Sequence, residues 1–138
     1  MAGILGLDLG EKRTGIAVSD SDTRVATPLE TYEGSAGKSF VRRLQDLIKT
    51  YGVTQIVAGL PLDLKGENGP AAKKIREKVE WLKTEIALDW VLWDERLTSA
   101  EAEELLQEQG VRRDKRKGLR DQLAAQRILQ SYLDSKKR

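Results

Sequence analysis

The chain contains neither cysteine nor histidine. Without cysteine it can form no disulfide, no thiolate nucleophile and no cysteine-ligated zinc or iron–sulfur site. Without histidine it has no Ser-His-Asp triad, no zincin helix and no imidazole general base. Any catalysis must run on carboxylates, lysine, tyrosine or hydroxyls, with oxygen ligands for whatever metal takes part, and oxygen ligands favour Mg²⁺ or Mn²⁺. Aromatic residues make up only 5% of the chain. Trp81, Trp90 and Trp93 fall in helix or strand patterns that suit core packing, so no stacking platform for single-stranded bases is in view. No apolar run approaches the roughly 18 to 20 residues of a membrane span, and the first residues lack the order of a secretion signal. A cytoplasmic protein with no membrane partner is the expectation.

What is present fits one globular domain over residues 1–138, with 39% hydrophobic and 33% charged residues. There is no internal repeat and no low-complexity segment. Net charge is only +2, but it is unevenly spread. Residues 1–110 carry 14 Lys and Arg against 19 Asp and Glu, whereas residues 111–138 carry 10 against 3. A basic end on an acidic body suits a polyanionic partner; a solvated tail is the plainer alternative.

Periodicity sets the element order. Residues 3–9 alternate, with Leu5, Leu7 and Leu9 on one face and Ile4, Gly6 and Asp8 on the other. Residues 10–15 form a turn, 15–19 a second strand and 25–32 a third, close enough to pair as an antiparallel meander. Phe40, Val41, Leu44, Leu47, Ile48 and Tyr51 follow helical spacing, and Gly52 ends that helix. Residues 55–59 are a short apolar strand leading into a turn at 59–62 and a loop at 63–70. Ile75, Val79, Leu82 and Ile86 mark a second amphipathic helix, and 90–93 the next strand. Thr98, with Glu101 three residues on, forms a capping box for a helix to about Gln109, and Gly110 stops it. Residues 111–118 read as a polar basic loop, and 119–134 as the last helix. The result is an α/β layer structure with a mixed five-stranded sheet, three antiparallel strands and then two parallel, whose helical crossovers should be right-handed.

Asp8 is out of place in a leucine-rich strand, since an unpaired buried carboxylate costs roughly several kcal/mol unless it is paired or binds a metal. It lies near the carboxyl end of the first strand, where open α/β sheets place their ligands. Asp94 and Glu95 follow the strand 90–93 in the same way, and strand alternation alone does not choose between them. Asp121 shares a helical face with Ala125, Ile128 and Tyr132, so it points toward whatever that helix covers. Several carboxylates at one rim can hold one or two Mg²⁺ or Mn²⁺ ions for phosphodiester hydrolysis. Without metal such acids repel one another, and at least one pKa should rise. Arg112, Arg113, Lys115, Arg116, Lys117 and Arg120 lie just before Asp121, where they could grip a phosphate backbone.

The stretches LDLGEKRTGIAVSD (7–20), GLPL (59–62), DERLTS (94–99) and DQLAAQRILQSYL (121–133) closely resemble the motifs of the YqgF/RuvX family, in order and over essentially the whole chain. The resemblance implies a ribonuclease H-like fold related to the RuvC resolvases. It also implies a nuclease that matures the 5′ end of pre-16S ribosomal RNA, acting on structured RNA or the small ribosomal subunit. Holliday junction resolution on branched DNA is the alternative. Carried onto this chain, the acidic site is Asp8, Glu95 and Asp121, both catalytic and metal-ligating, one fewer acid than the four RuvC enzymes usually offer. Lys12, Arg13 and Thr14 sit where they could contact phosphate, and Arg96 could bind phosphate or orient the acids. Monomer and homodimer both remain open.

Two rivals stand beside this reading. Asp8-Leu-Gly10 with Thr14-Gly15 also resembles the first phosphate motif of actin-like ATPases, but those proteins need two such domains, and the basic end would go unexplained. A catalytically silent RNA- or ribosome-binding module is the stronger rival, because family membership does not by itself establish turnover.

Overall fold

A computed structural model describes residues 3–20, 25–62, 69–95 and 113–136. The elements run β1 (Gly3–Leu9), β2 (Arg13–Asp20), β3 (Ala26–Glu33), α1 (Lys38–Tyr51), β4 (Val53–Leu60), α2 (Pro70–Glu85), β5 (Asp89–Asp94) and α3 (Arg113–Ser135). The sheet order is β3-β2-β1-β4-β5. β1 and β2 pair antiparallel, as do β2 and β3, whereas β4 runs parallel to both β1 and β5. This is the mixed five-stranded sheet expected from the sequence. The expected helix from Thr98 to Gln109 lies outside the described residues.

The alternation in β1 separates two cores. Leu5, Leu7 and Leu9 face α1 and α2, joining Phe40, Leu44, Leu47, Ile75, Val79 and Leu82 in one buried cluster. On the other face, Ala17, Ala26 and Val57 pack under Ala125, Ile128, Leu129, Tyr132 and Leu133 of α3. α1 ends where expected: Gly52 takes the left-handed conformation at φ 60° and ψ 44°, and its N–H donates to the Ile48 carbonyl. Pro70 opens α2, where its missing N–H costs nothing.

The helix α3 ties down an exposed sheet edge as well as covering a face. The Ala26 N–H donates to Gln130 Oε1 at 2.9 Å, and Gln126 Nε2 donates to the Ala26 carbonyl at 3.0 Å. These bonds satisfy backbone groups at the start of β3, which has no neighbour on its outer side among the described residues. At the opposite edge Trp93 of β5 meets Tyr132 edge-to-face at 5.5 Å and donates from Nε1 to Ser131 Oγ at 3.0 Å.

Two expectations need correction. Residues 113–118 are the first turns of α3, not a loop. Lys and Arg are good helix formers despite their charge, and Gly118 within a helix costs only about 1 kcal/mol. Trp81 lies on the outer side of α2 with 37% of its surface exposed, so it is not a core residue; Trp90 and Trp93 do pack against the two cores.

Candidate active site

Asp8 sits one residue before the end of β1, the central strand, on the face covered by α3. Its antiparallel partner is Gly15. A side chain at Gly15 would overlap the backbone carbonyl of Asp121, so the glycine is what lets α3 cross directly over β2 at this level. That crossing delivers Asp121 beside Asp8.

Gly59 does the same work on the other side. Leu7 pairs with Ala58, and one residue further along these parallel strands lie Asp8 and Gly59. A methyl group on Gly59 would stand 2.5 Å from Ile128 Cδ1 and 3.2 Å from Glu95 Oε2. The empty space above Gly59 is therefore where the Glu95 carboxylate reaches in. Strand register explains why Glu95 arrives there and Asp94 does not. Trp93 is the partner of Gly59 and packs on the α3 side, and Glu95 follows two residues later on the same face. Asp94 is the partner of Leu60, which belongs to the core on the other face.

The electrostatics follow from this convergence. Burial, then the negative charges of Glu95 and Asp121, push the Asp8 carboxyl up to about 7. Burial and the neighbouring Asp94 raise Glu95 above the usual carboxylate range. Asp8 has no hydrogen-bond or ion-pair partner among the described residues, whereas Asp121 accepts a 2.8 Å hydrogen bond at Oδ2 from Arg13 Nε. The same contact holds the Arg13 guanidinium above its usual value.

The basic candidates separate. Arg13 lies on the α3 face of β2 and engages Asp121. Lys12 is exposed in the turn before β2. Thr14 is fully buried opposite Leu9, on the face away from the carboxylates, and its hydroxyl has no hydrogen-bond partner among the described residues. The structure does not bring Thr14 to a surface that phosphate could reach, because β2 starts at Arg13 and strand alternation turns Thr14 inward. Arg113, Lys115, Arg116 and Lys117 lie on the first turns of α3, on the N-terminal side of Asp121, while Arg96 and Arg112 lie outside the described residues.

Sequence reading misses the Arg13–Asp121 ion pair and the spatial role of Gly15 and Gly59. The signal for the glycines is available, since a glycine inside a strand often marks a close approach of another backbone or side chain. Nothing local signals an ion pair between residues 108 positions apart.

A mixed five-stranded sheet in this order, with helices packed on both faces, defines a ribonuclease H-like fold. Solved structures agree on the fold. RuvC of Thermus thermophilus in complex with Holliday junction substrate superposes with a TM-score of 0.59 at 15% identity, covering 98% of this chain and 95% of that one. The fowlpox virus Holliday junction resolvase gives 0.57 at 12% identity, covering 96% and 99%. The chain belongs to the RuvX family: the family model, described as Holliday junction resolvase, matches residues 2–135. Relatives named "Putative pre-16S rRNA nuclease" include one from Thermoanaerobacter pseudethanolicus, 43% identical over 97% of both chains. Another from Geobacillus sp. (strain WCH70) is 43% identical over 96% of this chain and 98% of the relative. Membership of this family makes the chain a nuclease, a hydrolase of phosphodiester bonds.

Proposed function

We propose that this chain is a divalent-metal-dependent nuclease of one domain that trims the 5′ end of pre-16S ribosomal RNA in the cytoplasm, with Asp8, Glu95 and Asp121 as its acidic site. The observation that carries the reading is a buried carboxyl on the central strand, Asp8, within the electrostatic reach of Glu95 from the end of β5 and Asp121 from α3. A bound cation would offset the cost of ionising Asp8 there. Asp8 is partly buried, has no partner among the described residues and stands in the field of two further acids. An all-oxygen donor set suits Mg²⁺ or Mn²⁺ rather than a softer metal. As the side chains stand, no three acidic residues among those described form a group ready to hold one ion, and Asp121 is engaged with Arg13. Bound there, Mg²⁺ or Mn²⁺ would supply activation of water and charge stabilisation at the leaving oxygen.

The chain's own residues divide the remaining work. Asp8 from the central strand and Glu95 from just past the end of β5 would supply ligand oxygens. Lys12 in the exposed turn, together with Arg113, Lys115, Arg116 and Lys117 ahead of Asp121 in the chain, would contact the phosphate backbone. No described helix is long and apolar enough to cross a membrane.

The family description favours a second reading, branched DNA as substrate. A side-by-side assay decides between them, using RNA carrying the 5′ extension of pre-16S rRNA and a four-way DNA junction, with Mg²⁺, Mn²⁺ or EDTA. Cleavage of the RNA alone, lost in Asp8→Asn and Glu95→Gln but kept in Asp94→Asn, is the expected result. Cleavage of the junction alone moves the substrate to branched DNA. Cleavage that persists in EDTA or in Asp8→Asn refutes the metal site.

A further inference from the structure

We propose that Arg13 is the resident counter-cation of Asp121, exchanged for the divalent metal when the site closes, and that the released guanidinium then takes a phosphate oxygen of the substrate. The inference rests on the metal-site reading of Asp8, Glu95 and Asp121, and it adds a positioning residue that acts through Asp121.

Three features of the contact point to exchange rather than a fixed structural bridge. First, it is made through a single N–H: Arg13 Nε donates to Asp121 Oδ2 at 2.8 Å, and no bidentate fork is formed. A two-point guanidinium–carboxylate pair would resist displacement far more strongly. Second, both partners are partly open to solvent, with 32% of the Arg13 side chain and 21% of the Asp121 side chain exposed, so solvent and an incoming ion can reach the bond. Third, the pair engages an acid of the site itself: Asp121 is close enough for its charge to act on Asp8, yet its Oδ2 accepts from Arg13.

The register also places Arg13 usefully once it is released. Arg13 and Gly15 share the α3 face of β2, and Gly15 is the partner of Asp8. The guanidinium is therefore one step along the strand from the point where the carboxylates converge. Freed from Asp121, its donors face the rim where a phosphodiester would lie, and guanidinium geometry matches phosphate oxygens.

The test is calorimetric titration of Mn²⁺ alone into the metal-free wild type, Arg13→Gln, Arg13→Lys and Asp8→Asn, with thermal melting to confirm folding. If Arg13 competes with the metal, Arg13→Gln binds Mn²⁺ roughly three- to tenfold more tightly, the range set by removing one charge-assisted hydrogen bond. Arg13→Lys, with a weaker single-point interaction, falls between. In the same variants RNA binding weakens, and Arg13→Gln lowers the log–log salt slope by about one. Mn²⁺ affinity in folded Arg13→Gln equal to or below that of wild type overturns the exchange and leaves the metal site standing. Should Arg13→Gln not fold, Arg13→Lys at wild-type affinity overturns it in the same way. Absence of Mn²⁺ binding in the wild type overturns the metal-site reading itself, and the exchange with it.

Discussion

Replacing Asp8 by Asn should make the metal-free protein more stable at pH 8 and leave it unchanged at pH 3. The carboxyl of Asp8 rises from an ordinary 3.8 to about 7 in the folded chain, because burial and then the charges of Glu95 and Asp121 disfavour its ionisation. A raised folded-state pKa means the native state holds this proton more tightly than the unfolded state does. Stability from Asp8 is thus fully present below pH 3.8 and is lost as the pH climbs through about 7. A gap of about 3 on the pH scale, at about 1.4 kcal/mol each, amounts to roughly 4 kcal/mol by pH 8. Asn keeps the shape and cannot ionise, so the variant escapes that loss. At about 3 °C per kcal/mol for a chain of this size, the melting temperatures should separate by roughly 10 °C at pH 8. The assay is circular dichroism melting of both proteins in EDTA at several pH values. Adding Mn²⁺ should then raise the wild type toward the variant and leave the variant unmoved. A melting difference that stays constant from pH 3 to pH 8 would refute the claim that Asp8 is ionised at a cost in this fold.

Two further perturbations test the supports of the site. Gly15→Ala places a methyl group against the Asp121 carbonyl, so α3 must shift; chemical denaturation should show a loss of at least about 1–3 kcal/mol, and wild-type stability would mean that α3 does not cross at Gly15. Neutralising Arg112, Arg113 and Lys115 together should weaken RNA binding and flatten its log–log salt dependence by about one for each phosphate left without its cation, whereas an unchanged slope would make those residues solvated surface.

Much of the fold is written in local pattern. The alternation of Leu5, Leu7 and Leu9 against Ile4 and Asp8 sorts residues between two cores because β1 is central and covered on both faces. The helical spacing of Phe40, Val41, Leu44 and Leu47, closed by Gly52, is legible for the same reason: one buried stripe and one backbone position that needs a left-handed turn. Errors arise where two local preferences compete. The charge at 113–118 suggests a loop although Arg and Lys favour helix, and the aromatic ring of Trp81 suggests a core although the side of α2 it occupies faces outward. Asp8 itself is conspicuous because a carboxylate in an apolar strand breaks the pattern. Its surroundings are not, since they depend on which strands are neighbours: Gly15 across one ladder, Gly59 across the other, Asp121 and Arg13 through a helix more than a hundred residues downstream.

The three acids also differ in how firmly the fold holds them, and this bears on how the site can work. Asp8 belongs to the middle strand, with hydrogen-bonded neighbours on both sides. Glu95 follows an edge strand, and Asp121 rides on a helix whose position depends on side-chain packing and two glutamine hydrogen bonds. A metal site built on these acids would have one fixed ligand and two that can adjust toward it. The fixed one is the acid whose carboxyl is pushed up to about 7 by burial and then by the charges of Glu95 and Asp121. A cation bound there would offset the cost of burying that charge, so assembly of the site should begin at Asp8 and end with Asp121 leaving Arg13.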